Sequence, residues 1–177
     1  IMAKKVAFGA THVVIDLPYG HSLKVIHLKD AKILKNKFED IAKRFNIKIR
    51  VMIHRTDEPV GRGIGPILET KDALKVLEQT DDRPFDLEIR SLTLAGNLLE
   101  LCLKDSSKKL QDHIRKTYGN CIGWATKILQ DGLAFKKMQE IVFEQGGNPN
   151  IGSSKLIPGK FTYKIKSDKT IVIKNID

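Results

Sequence analysis

A few residues of this chain have both the type and the place to do chemistry. Lys4 and Lys5 stand together in the run Met2-Ala3-Lys4-Lys5-Val6-Ala7. A lysine ammonium is a compact point charge that can stabilise negative charge developing on a departing group. On a short helix it serves equally well as a solvated charge. Asp16 lies near the carboxyl end of the apolar run Thr11–Leu17, Gly20 follows in the next loop, and the pair Thr56-Asp57 follows a second apolar run. In an open parallel α/β sheet the ligand crevice lies outside the carboxyl ends of the strands. Asp57 can also be an ordinary turn residue.

Gly61-Arg62-Gly63-Ile64-Gly65 sits between a strand and a helix, where backbone amides could cradle an anion. Its spacing is not that of a dinucleotide fingerprint, and no Lys-Ser or Lys-Thr follows as in a P-loop, so a purely conformational role stands beside the binding role. The five histidines, at 12, 21, 27, 54 and 113, show no metal-ligand spacing, and His12 reads as a histidine packed within a strand. Cys102 and Cys121 lack ligand spacing and read as buried reduced thiols. No metal or cofactor is expected.

These residues need elements to hold them. Met2–Ala7 is made of helix formers, has no capping residue ahead of it, and is broken at Gly9. Thr11–Leu17 reads as a buried strand ending at Pro18. A helix without its start, set directly before a core strand, leads us to expect a chain cut from a longer protein, with a tag remnant ahead of a true start at Met2 as the alternative. From Asp30, read as an N-cap, Ile33, Leu34, Phe38, Ile41, Ala42 and Phe45 recur at helical spacing, and Asn46 closes the helix. Ile47–Ile53 reads as a second strand. Strand, helix, strand within about forty residues is a βαβ unit with parallel strands and a right-handed crossover. The loops 18–27 and 55–65 should then open on one edge.

A helix over 67–77, with Pro66 in its first turn, precedes an apolar helix carrying Leu87 to Leu101 and two or three more helices running to Gly146. Gly146-Gly147-Asn148-Pro149 is a stop. Beyond it, Phe161–Lys166 and Thr170–Ile173 alternate as a hairpin would, a ribbon that is marginal without a packing partner. The fold class expected is α/β: a parallel βαβ core with several helices, then the start of a β-rich C-terminal domain. The boundaries are 1–150 for a central α/β domain shortened on its N-terminal side, and 151–177 for a linker and hairpin.

With 177 residues, 41% of them hydrophobic, the chain can bury an ordinary core. No apolar run approaches the ~20 residues that cross a bilayer, and no secretory signal opens the chain, so a cytoplasmic protein without a membrane partner is expected. The formal charge of +10 invites a nucleic-acid reading. The lysines, however, alternate with acids along helices, as in Lys35-Asn36-Lys37-Phe38-Glu39-Asp40, which is the pattern of a solvated face, and no nucleic-acid partner is expected.

Four segments carry a resemblance when taken in order: IMAKKVAFGATHVVIDLPYG, EPVGRGIGPILETKDALKVL, SLTLAGNLLEL and GLAFKKMQEIVFEQGGNP. Together they look like the pyrimidine-nucleoside phosphorylases, most of all the thymidine phosphorylase subgroup that is similar to archaeal AMP phosphorylases. The likeness is collinear over nearly the whole chain. It implies phosphorolysis: a nucleoside and inorganic phosphate give free base and pentose 1-phosphate, here thymine and 2-deoxyribose 1-phosphate from thymidine.

The family's Ser-Ile-x-x-Lys-Lys element resembles Ile1-Met2-Ala3-Lys4-Lys5, which implies that Lys4 contacts the base and that the serine precedes Ile1. Lys4 is then the expected catalytic residue. Lys4, Lys5, Asp16, Gly20, Thr56 and Asp57 are the expected substrate-binding residues. The family's phosphate-binding residues fall upstream, so this chain alone is expected not to turn over, and the C-terminal domain is expected to begin near Leu156. A homodimer formed through the parent protein is also implied. An AMP phosphorylase and a non-catalytic scaffold remain open as alternatives.

Overall fold

A computed structural model describes residues 1–172. The chain groups into two units, each built from two stretches: 1–57 with 90–127, and 58–89 with the chain from Ile128 onward.

The first unit opens with helix α1 (Met2–Ala7), whose N-cap Ile1 offers no side-chain bond. Strand β1 (His12–Tyr19), helix α2 (Leu28–Arg44) and strand β2 (Lys48–Arg55) follow. The strands pair in parallel, with Asp16 opposite Met52 and Tyr19 opposite Arg55, so the expected βαβ unit is present. β1 does not end at Pro18 but continues through it to Tyr19. A strand with one neighbour has unpaired ladder donors on its other side, so proline's missing N–H is tolerated. Likewise α2 is capped by His27 and starts ahead of Asp30. Its apolar periodicity begins with the fully buried Ala31, so Asp30 falls in the first turn, where a carboxylate complements the helix dipole. Asn46 ends the helix with φ +52, a left-handed conformation that asparagine adopts more readily than most residues.

Alternation explains the core. Val13, Ile15 and Leu17 of β1 pack with Ala31, Phe38 and Ala42 of α2, with Ile47 and Val51, and with Met2. Burying a side chain such as Phe38 is worth roughly 1.5–3 kcal/mol. The alternate residues of β1, His12, Val14 and Asp16, line a groove whose opposite wall is Leu94, Ala95 and Leu98 of helix α4 (Phe85–Lys104). Helices α5 (Lys108–Tyr118) and α6 (Cys121–Gln130) share a second cluster with α4, made of Leu103, Ile114 and Cys121. Ser107 caps α5, its hydroxyl accepting from the Leu110 amide at 3.3 Å.

In the second unit helix α3 (Pro66–Glu78) carries proline in its first turn, as expected. It packs against helix α7 (Leu133–Glu144) and against the single turn Ser153–Lys155. The Glu78 carboxylate fixes that turn, accepting from the Ser153 amide at 2.9 Å and its hydroxyl at 2.5 Å. Residues 156–172 form no strand, and Phe161 and Tyr163 are 97% and 90% exposed. The expected hairpin is therefore unpaired among the described residues, and its last position, Ile173, lies outside them. Two strands that bury nothing do not recover the entropy of ordering them.

Candidate functional site

Two regions of the first unit gather most of the residues singled out above. The first is the carboxyl edge of the two strands. Tyr19, the last residue of β1, and Gly20 after it meet Arg55, the last residue of β2, and Asp57 around a cavity of about 260 Å³, closed by His21, Ile26, His27 and Leu28. The strand ends are locked together beneath it, since the Thr56 amide donates to the Tyr19 carbonyl at 2.9 Å. Gly20 is required at this point: a Cβ there would lie 2.1 Å from the Thr56 carbonyl oxygen. Across the cavity rim Arg55 Nε donates to Asp57, 2.8 Å from one oxygen and 3.0 Å from the other. The Thr56 hydroxyl is buried and has no hydrogen-bond partner among the described residues. That leaves a donor and an acceptor uncommitted at the strand end, at a cost of roughly 1–3 kcal/mol if nothing meets them.

The second region is the groove between β1 and α4, about 360 Å³, which Lys5 and Asp16 line together with His12. Asp16 is three residues inside the strand's end and is heavily committed. Arg90 Nε and Nη2 donate to its Oδ2 at 3.0 and 2.8 Å, and His54 Nδ1 lies 3.0 Å from its Oδ1. Arg90 and His54 also contact each other. A carboxylate held on both oxygens pins α4 to the sheet and keeps a fixed charge on the groove wall.

The structure thus brings Lys5 together with Asp16, and Gly20 together with Asp57 and Thr56. Lys4 is exposed on α1, lines neither region, and makes no ion pair among the described residues. Three expectations change, and the simplest is Cys102, which is exposed on the surface of α4 whereas Cys121 is buried. His12 is not packed in the core: it is half-buried, with Nε2 2.7 Å from Asp105, whose carboxyl is held below its ordinary range first by Lys48 and then by His12. The glycine loop, which belongs to the second unit, has four of its five amides already engaged. Arg62 and Gly63 donate to Asp72 Oδ2 at 2.7 Å each, Gly61 to Asp86 at 2.8 Å, and Gly65 to Glu69 at 3.0 Å. The Gly61 amide also draws the Asp86 carboxyl below its usual range. Carboxylates of its own chain fill the place an anion would take, so the role of this loop is conformational.

Sequence reasoning missed Arg90 and the use of His54. Arg90 is 74 positions from its partner, and its only local signal is a cation among apolar helix residues. The loops that carry His21, His27 and Asp57 do meet at one edge, as expected, but which of their side chains line the cavity is decided by packing. Among the described residues no helix is long and apolar enough to cross a membrane.

No family model matches the chain. It is 36% identical over all 177 residues to a protein of Methylococcus capsulatus provisionally named thymidine phosphorylase. It is 38% identical over 170 residues, 96% of the chain, to an AMP phosphorylase of Methanospirillum hungatei. It is 44% identical over 149 residues, 83% of the chain, to a protein of Ralstonia nicotianae that carries the same provisional name as the first. The matches take up 31%, 31% and 27% of those proteins, so the chain spans about a third of the length of the curated relatives it matches. The resemblance read from the four segments therefore extends along the whole chain.

Proposed function

We infer that the chain is part of a nucleoside phosphorylase of the thymidine type, a pentosyltransferase that converts thymidine and inorganic phosphate to thymine and 2-deoxyribose 1-phosphate. The observation that carries this reading is collinear similarity over all 177 residues to proteins of that name. The polar cavity at the carboxyl ends of parallel strands supports it, because open α/β sheets bind ligands there.

In phosphorolysis the bond from the anomeric carbon to the base nitrogen breaks, the base leaves with the electron pair, and a phosphate oxygen bonds to carbon. Negative charge grows on the base, and an ammonium beside its carbonyl lowers that barrier. Lys4 is assigned this role, which fits its exposed side chain. Lys5 and Asp16 on one groove, and Gly20, Thr56 and Asp57 at the strand ends, are the residues assigned to hold substrate. The same reading takes residues 1–150 as the central α/β domain and 151–177 as the opening of a β-rich one. It also takes the parent protein as a cytoplasmic homodimer acting in nucleotide salvage.

Phosphate-dependent base release by the protein that carries this sequence tests the reading, with thymidine, uridine, AMP and CMP as substrates. Thymine from thymidine is the expected result. Lys4→Ala should lower kcat by roughly 2–4 kcal/mol, or about 30- to 900-fold, if it removes one oxyanion-type donor. The 177-residue chain by itself should release nothing. A second reading, a nucleoside 5′-monophosphate phosphorylase, draws on His21, His27 and Arg55 around the cavity, groups that suit an anionic ester, and on the likeness to AMP phosphorylase. Adenine from AMP would select it. No base from any of the four substrates would sink both readings and leave a non-catalytic scaffold.

A further inference from the structure

A third cavity, about 400 Å³, shares no lining residue with the strand-end cavity or with the groove of Lys5 and Asp16. One face of α4 forms its wall through Gly96, Asn97, Glu100, Leu103 and Lys104, and Gln111, Ile114 and Arg115 of α5 form another. The turn at Gly119 and Asn120 and the start of α6, Cys121 and Ile122, close the end. Three of these residues, Leu103, Ile114 and Cys121, are buried and form one apolar cluster, which gives the cavity a dry floor.

The frame around it is closely packed. A Cβ on Gly96 would stand 2.5 Å from Ile122 Cγ1 and 2.9 Å from Ile122 Cα, so α4 and α6 touch with nothing between them. Arg50 fixes the wall from outside, donating through Nη1 to Asn97 Oδ1 at 2.5 Å and to Glu100 Oε2 at 2.6 Å. This bond engages the one acidic group on the lining, Glu100, whose carboxyl Arg50 lowers first and Lys104 lowers further. Two cations remain, Lys104 and Arg115, and neither side chain makes an ion pair among the described residues. Cavities of this size accept small organic ligands, and the pattern of apolar floor with a few polar anchors is that of a ligand site.

We propose that this cavity binds a small organic anion, a carboxylate, sulfonate or phosphate ester with an aromatic or aliphatic body. Arg115 and Lys104 hold the charged group, and Leu103, Ile114 and Ile122 take the apolar body. Neither half suffices alone. An inorganic anion would meet only two solvated cations, and a neutral hydrocarbon would leave both cations uncompensated beside it.

The probe is 4-toluenesulfonate, titrated into the 177-residue chain and followed by backbone amide shifts and by the indole N–H of Trp124, the only tryptophan. Trp124 packs on the same apolar cluster. Saturable shifts at 119–124 are expected. The neutral isostere 4-toluenesulfonamide and inorganic sulfate should each bind roughly tenfold more weakly or worse. Lys104→Gln combined with Arg115→Gln should weaken the sulfonate by a similar factor, whereas Lys108→Gln with Lys116→Gln, exposed positions outside the lining, should not.

Equal binding of sulfonate and sulfonamide would overturn the proposal, as would shifts that never saturate or that centre elsewhere. Equal losses in the two double variants would overturn it too, by showing a general effect of net charge. If the Lys104/Arg115 variant loses its native spectrum, the isostere comparison on the unaltered chain decides alone.

Discussion

Replacing Arg90 by methionine should destabilise the first unit, and the size of the effect follows from the geometry around Asp16. Arg90 places two N–H groups on Asp16 Oδ2, at 3.0 and 2.8 Å, leaving His54 on the other oxygen. The side chains of Asp16, Arg90 and His54 are 28%, 25% and 32% exposed, so solvent still reaches all three and the limit for a fully buried pair does not apply. A hydrogen bond to a charged group contributes about 1.5–3 kcal/mol, and this exposure favours the lower half, about 2 kcal/mol. For a chain of this size that lowers Tm by roughly 4–8 °C.

A double-mutant cycle with Asp16→Asn and Arg90→Met, read by urea unfolding and Trp124 fluorescence, isolates the pair. Trp124 lies in the same unit as both residues and so reports on the right part of the chain. A coupling energy above about 1 kcal/mol is expected. Arg90→Lys should recover only part of it, because an ammonium cannot reproduce the guanidinium fork. A coupling below about 0.5 kcal/mol would refute the view that this contact pins α4 to the sheet.

Other perturbations test other links. Gly20→Ala drives a methyl into the Thr56 carbonyl and should cost about 3 kcal/mol; an unchanged melting temperature would show that the strand ends can part freely. Asp72→Ala removes the acceptor for two loop amides from a buried site, an expected loss of about 2–4 kcal/mol. Faster hydrogen exchange at Arg62 and Gly63 is the direct readout of that loss. Asp105, with its carboxyl lowered by Lys48 and His12, should stabilise the fold above the ordinary carboxylate range and lose that contribution as pH falls through its depressed value. An acid-unfolding profile that Asp105→Asn leaves unaltered would contradict this assignment.

Local pattern carried the secondary structure a long way. The apolar run Thr11–Leu17 and the helical spacing of Ile33, Leu34, Phe38, Ile41 and Ala42 are properties of neighbouring residues, and they determined the βαβ unit and its parallel sense. Pro66, Asn46 and the glycines at 146 and 147 marked ends for equally local reasons. Where local signals competed, they misled: Pro18 reads as a strand end and Asp30 as a cap, yet a single-neighbour strand tolerates the first and apolar burial draws the helix start ahead of the second. The alternating residues 161–166 carry strand propensity, but propensity without a surface to bury against does not make a strand.

The candidate site divides along the same line. The sequence by itself determined that Gly20, Thr56 and Asp57 would follow strand ends, because that depends only on chain order. It could not determine that Asp16 would be claimed by Arg90 and His54, that the glycine-loop amides would be filled by Asp72, or that Lys5 rather than Lys4 would face Asp16. Those outcomes depend on which side chains meet across 9 to 74 positions of sequence, and only packing in three dimensions selects among the many partners a charge could have.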